Sequence, residues 1–274
     1  MIKDLIVNLA VGAGEDPAAN YALSVAQMFN AQLTGTAIAL KPVIPSMGIE
    51  GVGTNVIAAA INENEKAALA AIDRLHAFGK QQGVSTRAVR ITETLTDAVQ
   101  RFATTARSYD LAIVAQADPD NPGEQSLFIE SALFTSNRPI LVVPYVQRRP
   151  AKFDRIVCCW DGSAPAARAI ADAMPFLHKS KMVELLMVAT AKIKGLAGTD
   201  MAQHLARHGL NVDIRKIAGA DSDVANVVLA YAADNETDFL VMGGYGHSRW
   251  RELVLGGATR GILSSMTVPT LMSH

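Results

Sequence analysis

One succession of segments occurs twice along the 274 residues, and that repetition restricts the fold more than any single motif. Leu5-Ile6-Val7-Asn8-Leu9 reads as a strand and is followed by a helical pattern from Ala18 to Phe29. Arg155-Ile156-Val157-Cys158-Cys159-Trp160 is likewise followed by one from Ala164 to Leu177. Further on, Tyr109-Asp110-Leu111-Ala112-Ile113-Val114 is matched by Thr237-Asp238-Phe239-Leu240-Val241-Met242. Arg138-Pro139-Ile140-Leu141-Val142-Val143 is matched by Val268-Pro269-Thr270-Leu271-Met272. Two copies of one unit are the economical explanation, 1–148 and 152–274, joined at the polar Gln147-Arg148-Arg149-Pro150.

Within each unit strands alternate with helices. In the first, strands are expected over 4–10, 32–40, 84–91, 110–116 and 139–144, and helices over 17–30, 55–82, 94–107 and 126–136. In the second, strands are expected over 154–160, 182–189, 211–218, 238–243 and 268–272, and helices over 164–178, 198–208, 222–234 and 257–265. This alternation predicts an α/β fold, a mostly parallel sheet covered on both faces. An insertion from Lys41 to Thr54, rich in Pro and Gly, reads as a flap between strand and helix.

The second unit carries the chemistry. Phe239-Leu240-Val241-Met242 is too short for a buried helix and has no polar alternation, as a central parallel strand should. Gly243, Gly244 and Gly246 follow, then His247-Ser248-Arg249-Trp250-Arg251, then Gly256-Gly257-Ala258-Thr259 opening a helical segment with Ile262, Leu263 and Met266. Strand, glycine loop and helix N-terminus form an anion site, because the first amides of a helix are unpaired and its dipole favours negative charge. A phosphate chain is the expected ligand; the competing reading is a tight connection and nothing more. Ligands in such sheets sit at the carboxyl ends of the strands. There Trp160-Asp161-Gly162-Ser163 and the backbone near Val188 would converge on the glycine loop. Asp161 suits ribose hydroxyls, although Asp161 or Ser163 could equally cap the next helix.

The first unit departs from this. Its fourth strand runs into Gln116-Ala117-Asp118-Pro119-Asp120-Asn121-Pro122-Gly123-Glu124, whose acids repel phosphate. Its first strand ends Gly12-Ala13-Gly14-Glu15-Asp16-Pro17, where proline stands in place of the last glycine of a dinucleotide fingerprint. One competent site, in the second unit, is therefore expected.

Other features exclude more than they offer. A formal net charge of −1 gives no support to nucleic acid or an anionic membrane as partner. No run of 18 apolar residues is present, no signal peptide is evident, and a cytoplasmic protein is expected. Cys158 and Cys159 would point to opposite faces of a strand, suiting neither a disulfide nor a shared metal. His204 and His208 share a helical face without an evident third ligand. Trp250 reads as a packing anchor, and one of Arg249 and Arg251 at most as a phosphate contact. There is no Gly-x4-Gly-Lys-Ser/Thr loop and no positioned base, so efficient hydrolysis is not expected.

These residues resemble the universal stress protein family in its tandem form. Gly243-x2-Gly246-x9-Gly256 fits that family's nucleotide signature, except that Gly257 stands where Ser or Thr follows the last glycine. Thr259 or Ser248 would then supply the missing hydroxyl. The resemblance implies that Asp161 meets the nucleoside and that the backbone at Val188 meets adenine. It also implies five-stranded Rossmann-like sheets of order 3-2-1-4-5 whose fifth strands pair, here within one chain as a pseudo-dimer that leaves further homodimerisation open. The implied function is a stress-response regulator binding ATP, with or without magnesium, at Asp161, Gly162, Ser163, Val188, Gly243, Gly246, His247, Ser248, Arg249, Gly256, Gly257, Ala258 and Thr259, and read by a protein partner. The alternatives are a nucleotide-independent scaffold or chaperone-like protein, and a slow ATP hydrolase.

Overall fold

The computed structural model describes residues 1–12, 14–42, 54–117, 123–189, 198–220, 223–244 and 257–274. The first half runs β1 (Asp4–Asn8), α1 (Pro17–Phe29), β2 (Gln32–Leu40), α2 (Thr54–Gln82), β3 (Thr86–Glu93), α3 (Leu95–Ala106), β4 (Leu111–Ala115), α4 (Gly123–Thr135) and β5 (Ile140–Val143). The second runs β6 (Arg155–Cys159), α5 (Ala164–Leu177), β7 (Met182–Ala189), α6 (Thr199–Arg207), β8 (Val212–Ala218), α7 (Val224–Asp234), β9 (Phe239–Gly243), α8 (Gly257–Ser265) and β10 (Thr270–Ser273). Each expected element is present, with ends that move by at most three residues. The first turn of a helix and the last pair of a strand depend on capping, which period alone does not fix.

All ten strands form one sheet, in the order β3-β2-β1-β4-β5-β10-β9-β6-β7-β8. Pairing is parallel throughout each half and antiparallel only at the centre, where Val142, Leu141 and Ile140 face Thr270, Leu271 and Met272. An approximate twofold axis therefore passes between Leu141 and Leu271, and each half covers an apolar edge of the other. One face of the sheet is packed by α1, α2, α5 and α6, the other by α3, α4, α7 and α8. Adjacent cysteines separate as the pleat requires: Cys158 joins the first core and Cys159 the second.

Two further devices hold the halves together. Phe29, Phe153, Phe176 and Phe239 interlock, with Phe153 centroids 6.4 Å from Phe29 and 5.0 Å from each of the other two. The connecting segment is pinned where the Ala151 amide donates to Ser24 Oγ at 2.8 Å. A repeated aspartate sets the strand starts. Asp110 accepts from the amides of Lys3 and Asp4, and Asp238 accepts from that of Arg155. In both halves the residue before the fourth strand thus satisfies the amide that opens the first.

Candidate functional site

β9, β6 and β7 lie side by side and parallel, so their carboxyl ends form one edge. Beyond β6 the Trp160 amide still donates to Leu186 O at 2.8 Å, and the chain then turns over Gly162 at φ 79°, the left-handed region that suits glycine. Asp161 Oδ1 accepts from the Ser163 amide at 2.9 Å, and Ser163 Oγ accepts from the Ala166 amide at 3.3 Å. Ser163 is the N-cap of α5, so the capping role falls to it, while Asp161 stands two residues earlier at the edge. Burial, and then the nearby Asp161 carboxylate, push the Cys159 thiol up to about 12, so that side chain is inert near neutral pH.

Gly243, the last residue of β9, is pressed against the start of α5. A Cβ there would lie 2.5 Å from Ala166 N and 2.7 Å from Pro165 C, both of them backbone. Gly244 faces the other half: its Cβ would come 2.7 Å from Leu133 Cδ2 of α4. Its amide donates to Ser273 O at 2.8 Å, and its carbonyl lies 3.0 Å from His274 Nδ1. Val188 is buried in the penultimate position of β7, and the Gly219 amide donates to the carbonyl of Ala189 beside it.

α8 returns from the same edge, because it carries the chain from the carboxyl end of β9 to the start of β10. At its first residue, Gly257, a Cβ would meet nothing within 4 Å, and its φ lies outside the left-handed region, so neither space nor backbone demands a glycine. Ala258 is half-buried and Thr259 is only 4% exposed, so Thr259 faces the core rather than the open end of the helix. That makes it a poor substitute for an exposed hydroxyl. Asp161, Gly162, Ser163, Val188 and Gly243 thus lie at the carboxyl ends of three adjacent strands, and Gly257, Ala258 and Thr259 open the helix between β9 and β10. Gly246, His247, Ser248, Arg249, Trp250, Arg251 and Gly256 lie outside the described residues.

The matching edge of the first half is differently filled. Asp16, the N-cap of α1, takes two backbone amides at once, Ala10 at 2.7 Å and Ala19 at 2.9 Å. After β4 comes Gln116, 2% exposed, whose Nε2 donates to Leu263 O of α8 at 2.9 Å and whose Oε1 accepts from the Tyr145 amide at 3.3 Å. Nothing in the sequence pattern marked this glutamine as a bridge between the halves, since a partner 147 residues away leaves no local signal. Of the acidic loop, 118–122 lies outside the described residues, as does 43–53 of the expected flap. His204 and His208 pack edge to face at 4.8 Å, and no group of three metal-ligating side chains occurs among the described residues.

The universal stress protein family model matches residues 152–274. A universal stress protein of Synechocystis sp. is 27% identical over 142 residues, 49% of this chain and 46% of that protein, so the chain spans about half the length of this curated relative. The crystal structure of a universal stress protein from Archaeoglobus fulgidus superposes with a TM-score of 0.73 at 14% identity, over 98% of this chain and 97% of that one. A functionally unknown protein from Pseudomonas aeruginosa PAO1 superposes at 0.64, with 14% identity, over 99% and 92%. No described helix is long and apolar enough to cross a membrane. The second half of the chain thus matches the universal stress protein family model, and along its whole length the chain has the fold of the Archaeoglobus fulgidus protein.

Proposed function

We propose that this protein is a nucleotide-responsive regulator, with units 1–148 and 152–274, that binds ATP at the carboxyl edge of the second unit. The observation that carries the reading is Gly257, a solvent-exposed glycine at a helix N-terminus that no contact of the fold requires. In this reading the amides at the start of α8 would take an anion, and Asp161 would flank it with an acceptor for a hydroxyl-bearing sugar. Asp161 would accept from ribose, the strand end at Val188 would meet the base, and Gly243 to Thr259 would wrap the phosphates. Asp161 would stand on the nucleoside side, far from the terminal phosphate, so binding rather than turnover is the activity we propose, in the cytoplasm. Bound nucleotide would order the 243–259 loop and alter a surface read by a protein partner.

Calorimetric titration of nucleotide-stripped protein with ATP and magnesium tests this, alongside Gly246→Val. One site in wild type, lost in the variant, is expected. Two sites would reinstate the first half as a binder, and no heat at any concentration would leave a nucleotide-independent interaction protein.

A further inference from the structure

A well-formed cleft lies away from that edge, in the first half. It is a groove between α1 and α2, closed over by the connecting segment 147–150, with a volume of about 580 Å³. That falls within the roughly 300–1,000 Å³ typical of small-molecule sites. Its far wall is the last part of α2, where Ala71, Arg74, Leu75 and Phe78 form a stripe at helical spacing. The floor is apolar, made by the buried Leu9, Leu23, Ala71 and Leu75, and Phe78 at the surface is 43% exposed.

The charges gather on the rim. Asp16 is occupied by the two amides it caps, and Glu15 pairs with Arg148 at 3.3 Å. Arg74 donates to the Ala10 carbonyl at 3.4 Å and lies close enough to Asp16 for their charges to attract, whereas Arg149 forms no salt bridge among the described residues. An apolar floor under a rim with three guanidinium groups, Arg74, Arg148 and Arg149, against the two carboxylates of Glu15 and Asp16 matches a molecule with an apolar body and one anionic head. The segment over the groove is itself a strap, tied by Arg148 to Glu15 at one end and by the Ala151 amide to Ser24 at the other. An occupant would touch both α helices and the strap together.

We propose that this groove is a second binding site, for a small amphipathic carboxylate, and that occupancy fastens the segment joining the two halves. The proposal is independent of the nucleotide reading. Octanoate is the probe and octan-1-ol its uncharged control, each titrated against the whole chain and followed by melting temperature and by trypsin cleavage after Arg148. Octanoate should raise the melting temperature and slow that cleavage, and octan-1-ol should do so much less. Arg74→Met should weaken the octanoate response by about tenfold, the worth of one hydrogen bond to a charged group. Asn20→Trp, made at an exposed position of α1 that lines the groove, should fill the space and abolish the response without unfolding the chain. Both variants should keep the ATP response of wild type. Equal responses to octanoate and octan-1-ol, or full octanoate responses in both variants, overturn the assignment, as does no response to octanoate at all.

Discussion

Ala115 and Gly243 occupy one position in two copies of the same fold. Each ends its fourth strand, opposite Val143 and Ser273 respectively, and each is followed by an amide that donates to that partner's carbonyl at 2.8 Å. Yet the first half keeps a Cβ and the second cannot. The next position diverges further: Gln116 fills its site with a side chain bonded across to α8, whereas Gly244 leaves room for Leu133 from α4. The loops after the first strands differ in kind too. Asp16 is wholly engaged in capping α1, whereas in the second half Ser163 caps α5 and Asp161 is set at the edge. Among the described residues, the first half fills these positions with bonded side chains, where the second has glycines packed against neighbouring helices. Two copies of one backbone can therefore differ at their strand ends through a few side chains while the sheet stays intact.

The comparison breaks most visibly at Gly243. Gly243→Ala puts a methyl group 2.5 Å from backbone that belongs to a packed helix, and such overpacking should cost about 3 kcal/mol. The reciprocal change, Ala115→Gly, adds only backbone freedom and should cost about 1 kcal/mol or less. Urea denaturation of both variants measures the pair. Equal costs would mean that the two strand ends are not packed as differently as they stand.

The capping carboxylates offer a second contrast, with two readouts. Asp16→Ala removes two backbone hydrogen bonds at a helix start and should lower stability by about 2 kcal/mol, with ATP binding unchanged. Asp161→Ala should cost about 1 kcal/mol of stability for the turn hydrogen bond to the Ser163 amide, less than the loss at Asp16. It should weaken ATP by about tenfold through loss of a charged acceptor for ribose. Paired denaturation and calorimetry check both, and an exchange of the two outcomes would reverse the roles given to the halves.

Gln116 is the contact through which one edge leans on the other. Gln116→Ala strands the Leu263 carbonyl and the Tyr145 amide, and should cost about 1–2 kcal/mol. Because Leu263 belongs to the helix that would cradle phosphate, ATP should stabilise this variant less than it stabilises wild type. A thermal-shift titration reports this directly, and identical shifts would show that α8 is indifferent to its bond with the first half.

How much of this the sequence disclosed follows from the range of the forces involved. The alternation of strand and helix depends on residues within about ten positions of one another, the doubling on matching such stretches to one another, and both were legible. So was the separation of Cys158 from Cys159, which needs only the pleat. Phe153 bridging to Phe29 and Phe239, Gln116 reaching Leu263, and the groove under 147–150 arise from segments that meet only after folding. The repeated Asp110 and Asp238 lay between these cases. Their positions matched in the two copies, but their role as acceptors for the opening amide of a neighbouring strand required the sheet. Ser163 and Asp161 stayed interchangeable as caps in the sequence because spacing permits both, and only the measured bonds separate them.

The smallest effect sharpens the comparison instead of breaking it. Family resemblance places a hydroxyl where this chain has Gly257, and a Cβ at that position meets nothing within 4 Å. Gly257→Ser therefore adds a donor at a helix N-terminus without displacing any neighbour, and should also remove some of the backbone freedom that glycine contributes to the unfolded chain. If phosphate sits against these amides, the new hydroxyl should tighten ATP by severalfold, about 1 kcal/mol, the net worth of one hydrogen bond. The same substitution leaves the first-half groove untouched, so the octanoate response should not move. Tighter ATP with unchanged octanoate would locate the phosphate at the start of α8. Gain in stability alone, with ATP affinity unmoved, would place the phosphate elsewhere and leave Gly257 as a glycine without a ligand to explain it.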